Sequence, residues 1–598
     1  MSDQERADQT PDPMEAWITL TRQFGRAQAA FADLMERKTS GDTFQMPDPE
    51  VIRDSFTAAW LDLLNNPERM AQAQANFLDA QNKLWSMALR RLNGEAVEPV
   101  VQPPKGDKRF MDEEWSKHAP FDILKQAYLV NARWLQDTMG SVDGISDDDR
   151  RKVDFYTRVL VDAFSPTNFL FTNPKVLQAT IDSGGRNLLD GFRNFVGDLE
   201  RGRGNLSISM TDTEAFELGK NIATTPGKVI YQNEMMQLIQ YDPTTPTVQQ
   251  RPLLIVPPWI NKFYVLDLRA KNSLIKWCVD QGLTVFVISW VNPGAELSHK
   301  RFDDYMLEGP LAALDAIKLA TGEDKVAIAG YCIGGTLTAS TLAYMAAKRD
   351  KRIVAATYFV TLTDFREVGD IRVFIDDRQL ELLENHMAER GYLEGRHMAN
   401  VFNLMRDNDL IWSFMVNNYL LGKEPAPFDL LYWNSDSTRM PAMMHSAYLR
   451  QMYLDNKLIE KGGVTLDGVK IDLRKIKVPT FMLSTREDHI APWDATYAAT
   501  QVYGGPVQFV LAGSGHIAGV VNPPASGKYQ YWLNPDLPPS PQDWLAGATE
   551  HPGSWWPHWR EWLREHLGPE VPARTPGEGQ LPVIEDAPGS YVKVRVTE

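Results

Sequence analysis

Cysteine is nearly absent from this chain. Cys278 and Cys332 are the only two in 598 residues, so at most one disulfide is possible and each is read as a thiol. No Lys/Arg-rich run offsets a formal net charge of −16, which repels phosphate backbones and anionic lipid headgroups and sets nucleic acid aside as a partner. No uninterrupted apolar stretch reaches the ~20 residues a membrane helix needs, so no transmembrane segment is expected. The opening MSDQERADQT lacks the basic and apolar regions of a signal peptide, and a cytoplasmic protein is expected. There is no internal repeat. What remains is ordinary for a globular protein, 43% hydrophobic and 23% charged. The length exceeds what one core usually organises, so two domains or a large domain with insertions are expected.

Apolar residues near helical spacing run from Trp17 to Met35 and from Phe56 to Leu92, so residues 1–95 read as an amphipathic helical region. A Pro-containing connector, Gly94 to Gly106, leads into further helices, and residues 96–210 complete an α-helical N-terminal domain. From about residue 211 the pattern becomes short β-branched runs alternating with helical ones, the mark of a largely parallel sheet covered by helices. The spacing predicts strands at Lys228–Gln232, Met236–Tyr241, Leu253–Val256, Thr284–Trp290, Lys325–Ala329, Val354–Val360, Thr480–Ser484 and Val507–Ala512. Residues 369–475 interrupt the alternation with helical, aromatic and Met-rich sequence, as a cap inserted above a sheet does. Its methionines Met387, Met398, Met405, Met415, Met440, Met443, Met444 and Met452 suit either a mobile cap or ordinary core filling. After Leu567 the sequence is rich in Pro and Gly.

The strand at Lys325–Ala329 runs into Gly330-Tyr331-Cys332-Ile333-Gly334-Gly335 and then a helix from Thr336 to Ala347. This is a G-x-nucleophile-x-G elbow, whose sharp turn needs glycine where side chains would collide with the adjoining strand and helix. It lifts Cys332 to the carboxyl edge of the sheet, at a helix N-terminus that favours a thiolate. Two cysteines and 40 glycines in 598 residues would give G-x-C-x-G by chance about once in a hundred such chains. Cys278, in a helical stretch, reads as a buried small hydrophobe.

An α/β-hydrolase fold orders nucleophile, acid and His along the chain, the acid after a late strand and the His after the last one. Asp488 and His516 fill those places, with Glu487 and His489 as weaker rivals. The N–H of Ile333 supplies half of an oxyanion hole. The second donor comes from the loop Val256-Pro257-Pro258-Trp259-Ile260-Asn261, where prolines cannot donate; Trp259 or Ile260 must, and Ile260 is preferred. A cysteine nucleophile suits transfer from an acyl thioester, because the acyl group stays activated on Cys332. Phe428, Tyr432 and Trp433 could shield such an intermediate from water, or simply pack.

From about Arg109 onward the chain resembles the class I polyhydroxyalkanoate synthases. The resemblance rests on Ser165-Pro166-Thr167-Asn168, the run from Val256 to Leu268, Ser289-Trp290-Val291-Asn292-Pro293, Gly330 to Gly335, the PFDLLYWN segment beginning at Pro427, Asp488 and His516. It implies an acyltransferase that polymerises (R)-3-hydroxyacyl-CoA, of short chain such as 3-hydroxybutyryl-CoA, into polyester with release of CoA. It also implies a Cys332–His516–Asp488 triad, and a role for Trp433 in dimerisation or activity. A homodimer on a cytoplasmic polyester granule is implied, with phasin-like proteins as further partners. No metal is expected and no cofactor beyond the coenzyme A that the substrate carries. The rivals are a thioesterase or intracellular polyester depolymerase on the same fold, and a non-catalytic granule scaffold.

Overall fold

Asn66 and Pro67 divide what reads in sequence as one helical stretch. The computed structural model describes residues 13–39 and 47–596; the acidic opening Met1–Thr10 lies outside the described residues. Helices α1 (Pro13–Thr39), α2 (Pro49–Asn65), α3 (Pro67–Leu92), α4 (Ala119–Gly140), α5 (Asp147–Ala163) and α6 (Arg186–Arg201) form the frame of the first of two units. The Asn66 side chain accepts the Arg69 N–H and Pro67 takes the first helical turn, so α2 ends where α3 is capped. Ala59, Leu63, Met139, Val142 and Val153 make one core of this unit. A second apolar set on α1 and α3 stays outside: Trp17, Phe24, Phe31, Trp85 and Leu89 are all more than half exposed. Phe402–Ala426, which the sequence places inside the cap insertion, also belongs to this unit. Asn187 donates to the Leu420 carbonyl at 2.7 Å, and the Tyr419 hydroxyl donates to Asp198 at 2.5 Å.

The second unit, Thr213–Val401 with the residues from Pro427 onward, is built on an eleven-stranded sheet. Its strands are β1 (Gly227–Gln232), β2 (Met236–Tyr241), β3 (Leu253–Val256), β4 (Val285–Trp290), β5 (Val326–Tyr331), β6 (Ile353–Phe359), β7 (Thr480–Thr485), β8 (Val507–Ala512), β9 (Gln530–Leu533), β10 (Thr549–Pro552) and β11 (Glu585–Asp586). The spatial order is β10-β9-β8-β7-β6-β5-β3-β4-β2-β1-β11. The block from β8 to β4 is parallel, and the strands on either side of it run antiparallel. Every residue of β3, β4 and β5 is buried, which explains their continuous apolar sequences. All eight strands expected from sequence occur here. One expectation fails: β8 is not the last strand, since β9 and β10 extend that edge and β11 closes the other against β1. These additions are two to four residues long, and β10 ends in proline, so their periodicity is too short to read.

Helices α7 (Leu274–Asp280), α8 (Ala312–Thr321), α9 (Ile333–Lys348), α10 (Asp377–Arg390), α11 (Gly395–Met405), α12 (Asp429–Asn434), α13 (Ala442–Tyr448) and α14 (Trp556–Arg564) accompany the strands. Cys278 on α7 is fully buried and burial pushes its thiol up, so it behaves as a small hydrophobe. Of the eight methionines between residues 369 and 475, Met387, Met405, Met440, Met444 and Met452 are buried, which favours packing. Among the described residues no helix is long and apolar enough to cross a membrane.

Candidate active site

β5 carries its chain to the carboxyl edge of the sheet and turns at Cys332 with φ 54° and ψ −124°, a strained conformation for any residue with a side chain. The turn is held from both directions. The Cys332 N–H donates to the Phe359 carbonyl at 2.9 Å, and its own carbonyl accepts from Gly335 and Thr336 at 2.9 and 3.1 Å. Close approach dictates the flanking glycines. A Cβ on Gly330 would lie 2.5 Å from the Gly335 Cα, and one on Gly334 would lie 2.3 Å from the Val256 carbonyl oxygen. Gly334→Ala is therefore expected to cost about 3 kcal/mol, the upper part of the usual overpacking range, because backbone must move to admit the methyl. A urea unfolding midpoint unchanged from wild type would contradict that.

Ile333 opens α9, where the first N–H groups have no carbonyl one turn back to accept them. The loop after β3 approaches the same edge, since Val256 pairs with Gly330. Thr438 fixes this loop: its N–H donates to the Ile260 carbonyl at 3.1 Å and its hydroxyl to that of Trp259.

Asp488 and His516 follow two later strands, β7 and β8. Asp488 follows β7, and its Oδ1 accepts the N–H groups of Ile490 and Ala491 at 2.8 and 2.9 Å. Its Oδ2 lies 2.7 Å from His516 Nδ1, both residues being buried. Glu487 is exposed, and His489 follows Asp488 on a half-buried turn, while the Asp488 carboxylate is taken by His516. Burial opposes a charge on His516, but the charges of Asp488 and Cys332 outweigh it and raise its pKa to about 10. The structure thus pairs Asp488 with His516 directly, and His516 feels the charge of Cys332.

Two supports of His516 escape sequence reasoning. Tyr331 stacks on its ring at 5.7 Å and donates a hydroxyl hydrogen bond to its carbonyl at 3.1 Å. Downstream, the indoles of Trp555 and Trp556 donate to the carbonyls of Gly519 and Val520, both at 2.9 Å, pinning the loop that carries the imidazole. The cluster Ser554-Trp555-Trp556-Pro557-His558-Trp559 is the signal that could have pointed there.

Phe428 is 47% exposed, and Tyr432 and Trp433 pack into the main core. The Trp433 indole donates to the Lys262 carbonyl at 2.6 Å, beside a buried Lys262–Asp436 ion pair at 2.7 Å that also receives the Tyr264 hydroxyl. Burial raises the phenols of Tyr448 and Tyr453, and the charge of Cys332 raises both further. Their rings meet edge to face at 5.4 Å, and Phe365 packs on both. Five positions apart, they would diverge on an α-helix. The π-helical turn Leu449–Leu454 brings them together.

Residues 106–278 match the family described as poly-beta-hydroxybutyrate polymerase (PhaC) N-terminus, and residues 251–523 match the alpha/beta hydrolase fold. A poly(3-hydroxyalkanoate) polymerase of Methylorubrum extorquens is 53% identical over 533 residues, covering 89% of this chain and 88% of its own. The poly(3-hydroxyalkanoate) polymerase subunit PhaC of Rhizobium meliloti is 48% identical over 98% of this chain and 96% of its own. That of Cupriavidus necator is 42% identical over 88% and 89%.

Proposed function

This chain belongs to the poly(3-hydroxyalkanoate) polymerase family, and from that premise we propose that it polymerises (R)-3-hydroxyacyl-CoA, with 3-hydroxybutyryl-CoA as the short-chain substrate, through an acyl thioester on Cys332. The observation that carries the reading is a cysteine held on a strained elbow, with the Asp488–His516 pair close enough for the imidazole to feel its charge.

On this reading His516 already holds the Cys332 proton before substrate arrives, and the thiolate attacks the thioester carbonyl. The N–H groups of Ile333 and Ile260 receive the oxyanion, and CoA leaves with the proton from His516. One thioester replaces another, so the step is close to energy-neutral. His516, oriented by Asp488, then removes the 3-hydroxyl proton of a second acyl unit, whose oxygen attacks the Cys332 thioester; the carbon–sulfur bond breaks as the ester forms, and the freed Cys332 thiolate is left beside the protonated His516 for the next round. Phe365, Tyr448 and Tyr453 keep water from that thioester. The chemistry needs no cofactor beyond the coenzyme A that arrives with the substrate.

The exposed aromatic residues of α1 and α3 give the helical unit an apolar surface suited to a polyester granule in the cytoplasm. Homodimerisation and phasin-like partners belong to the same proposal. Trp433, buried beside Lys262, acts in it by positioning the loop after β3.

The test is to incubate the purified protein with (R)-3-hydroxybutyryl-CoA, titrate free CoA in quenched samples and weigh insoluble polyester. Matching amounts of both are expected. CoA with only free hydroxyacid would make the protein a thioesterase, and no CoA at all would remove this substrate from the proposal.

A further inference from the structure

Away from Cys332, two histidines and a glutamate converge between α10 and α11. His386 lies one turn before the end of α10, Glu394 just ahead of α11, and His397 in the first turn of α11. Gly391, at φ 84°, reverses the chain between them, and Tyr392–Leu393 pairs with Met440–Pro441 to hold the reversal. Glu394 Oε2 is 3.2 Å from His386 Nε2 and 3.6 Å from His397 Nε2. One ligand atom from each residue lies within 4.8 Å of the other two, and the side chains are about nine-tenths buried.

These distances are those of a metal's ligands. Atoms about 2.0–2.2 Å from a tetrahedral zinc stand roughly 3.3–3.5 Å from one another. Both glutamate–histidine distances already sit near that value, and a rotation of either ring closes the remaining gap. The imidazoles meet edge to face at 5.5 Å. The glutamate's other oxygen, Oε1, is held by Arg390 at 2.5 Å, so Oε2 alone is presented to the histidines. Outer contacts of this kind orient ligating carboxylates in metal sites. Two imidazoles and one carboxylate oxygen suit zinc and its neighbours in the transition series; calcium and magnesium want more oxygens.

We propose that His386, Glu394 and His397 form a site for a divalent cation of the zinc class, with water as the fourth ligand, tying the end of α10 to the start of α11. Each imidazole then carries its proton on Nδ1 and turns the Nε2 lone pair to the metal. The spacing His-x7-Glu-x2-His resembles no common ligand pattern, so the site is visible only once the chain has folded back at Gly391.

The experiment uses the full chain carrying Cys332→Ala, so that the thiol does not compete for metal. Protein stripped with chelator and dialysed against zinc is expected to retain one equivalent and to melt at a higher temperature than the stripped form. His386→Ala, His397→Ala and Glu394→Gln are each expected to lower retention per folded molecule at least tenfold and to abolish the rise in melting temperature that zinc gives. Retention equal in wild-type and variant ligand sets, or none in either, overturns the proposal. Should the variants fail to fold, copper(II) bound to the unaltered set decides: resonance coupling to two imidazole nitrogens supports the site, and any other number overturns it.

Discussion

Replacing Cys332 with alanine is expected to lower CoA release from (R)-3-hydroxybutyryl-CoA by about 10⁵-fold to 10⁶-fold, the scale seen when the nucleophile of a triad is removed. The alternative route, direct attack of a hydroxyl on the CoA thioester, lacks the covalent intermediate that divides the reaction into two easier steps. Stability should barely change, because Cys332 is half-buried and its turn is held by backbone hydrogen bonds. Cys332→Ser separates the two chemical steps. Any acyl group that reaches serine becomes an ester and loses its activation, so the variant should hold acyl groups that wild type passes on. Intact-mass measurement after brief exposure to substrate reads this directly, and Cys332→Ala retaining more than about 1% of the wild-type rate would remove the residue from the chemistry.

Asp488→Asn is expected to reduce kcat by about 10⁴-fold, because an amide facing His516 Nδ1 permits the tautomer that cannot accept the Cys332 proton. Geometry alone should survive, since an asparagine oxygen can still accept the N–H groups of Ile490 and Ala491. The same substitution has a consequence for pH. The folded pKa of His516 is about 10, above the ordinary histidine value near 6.5, so its proton contributes stability that is complete below about pH 6.5 and is lost as pH rises toward 10. In Asp488→Asn burial opposes the charge without the carboxylate, and that decline should flatten. Urea midpoints measured from pH 6 to pH 10 check it; parallel curves for wild type and variant would contradict the assigned cause.

The sheet was legible where strands are buried on both faces, as in Leu253–Val256 and Val326–Tyr331, because there the apolar run is the strand itself. Cys332, Asp488 and His516 could be placed at the carboxyl edge of the sheet because each comes within a short turn of the end of a strand readable in sequence. What could not be read depends on contacts distant in sequence. Tyr448 and Tyr453 share a face only because a π turn changes the helical phase. Phe402–Ala426 leaves the insertion to join the helical unit through partners such as Asn187 and Asp198, more than 200 residues earlier. Trp433 looked like part of a cap because aromatic runs over active sites and aromatic cores have the same composition; only the Lys262 carbonyl beneath its indole distinguishes them.

The pairing of β11 with β1 joins Lys228 to Asp586 across 358 positions. During synthesis β1 therefore leaves the ribosome long before the strand that covers its edge exists. The central strands β3 to β6 come from little more than a hundred consecutive residues and can assemble early, whereas β1 waits with a row of unpaired N–H and C=O groups. A chain cut off before Glu585 keeps that edge open permanently. Cys332, Asp488 and His516 would all be present, yet it would offer other nascent chains a template for strand addition, and loss of yield would precede loss of activity.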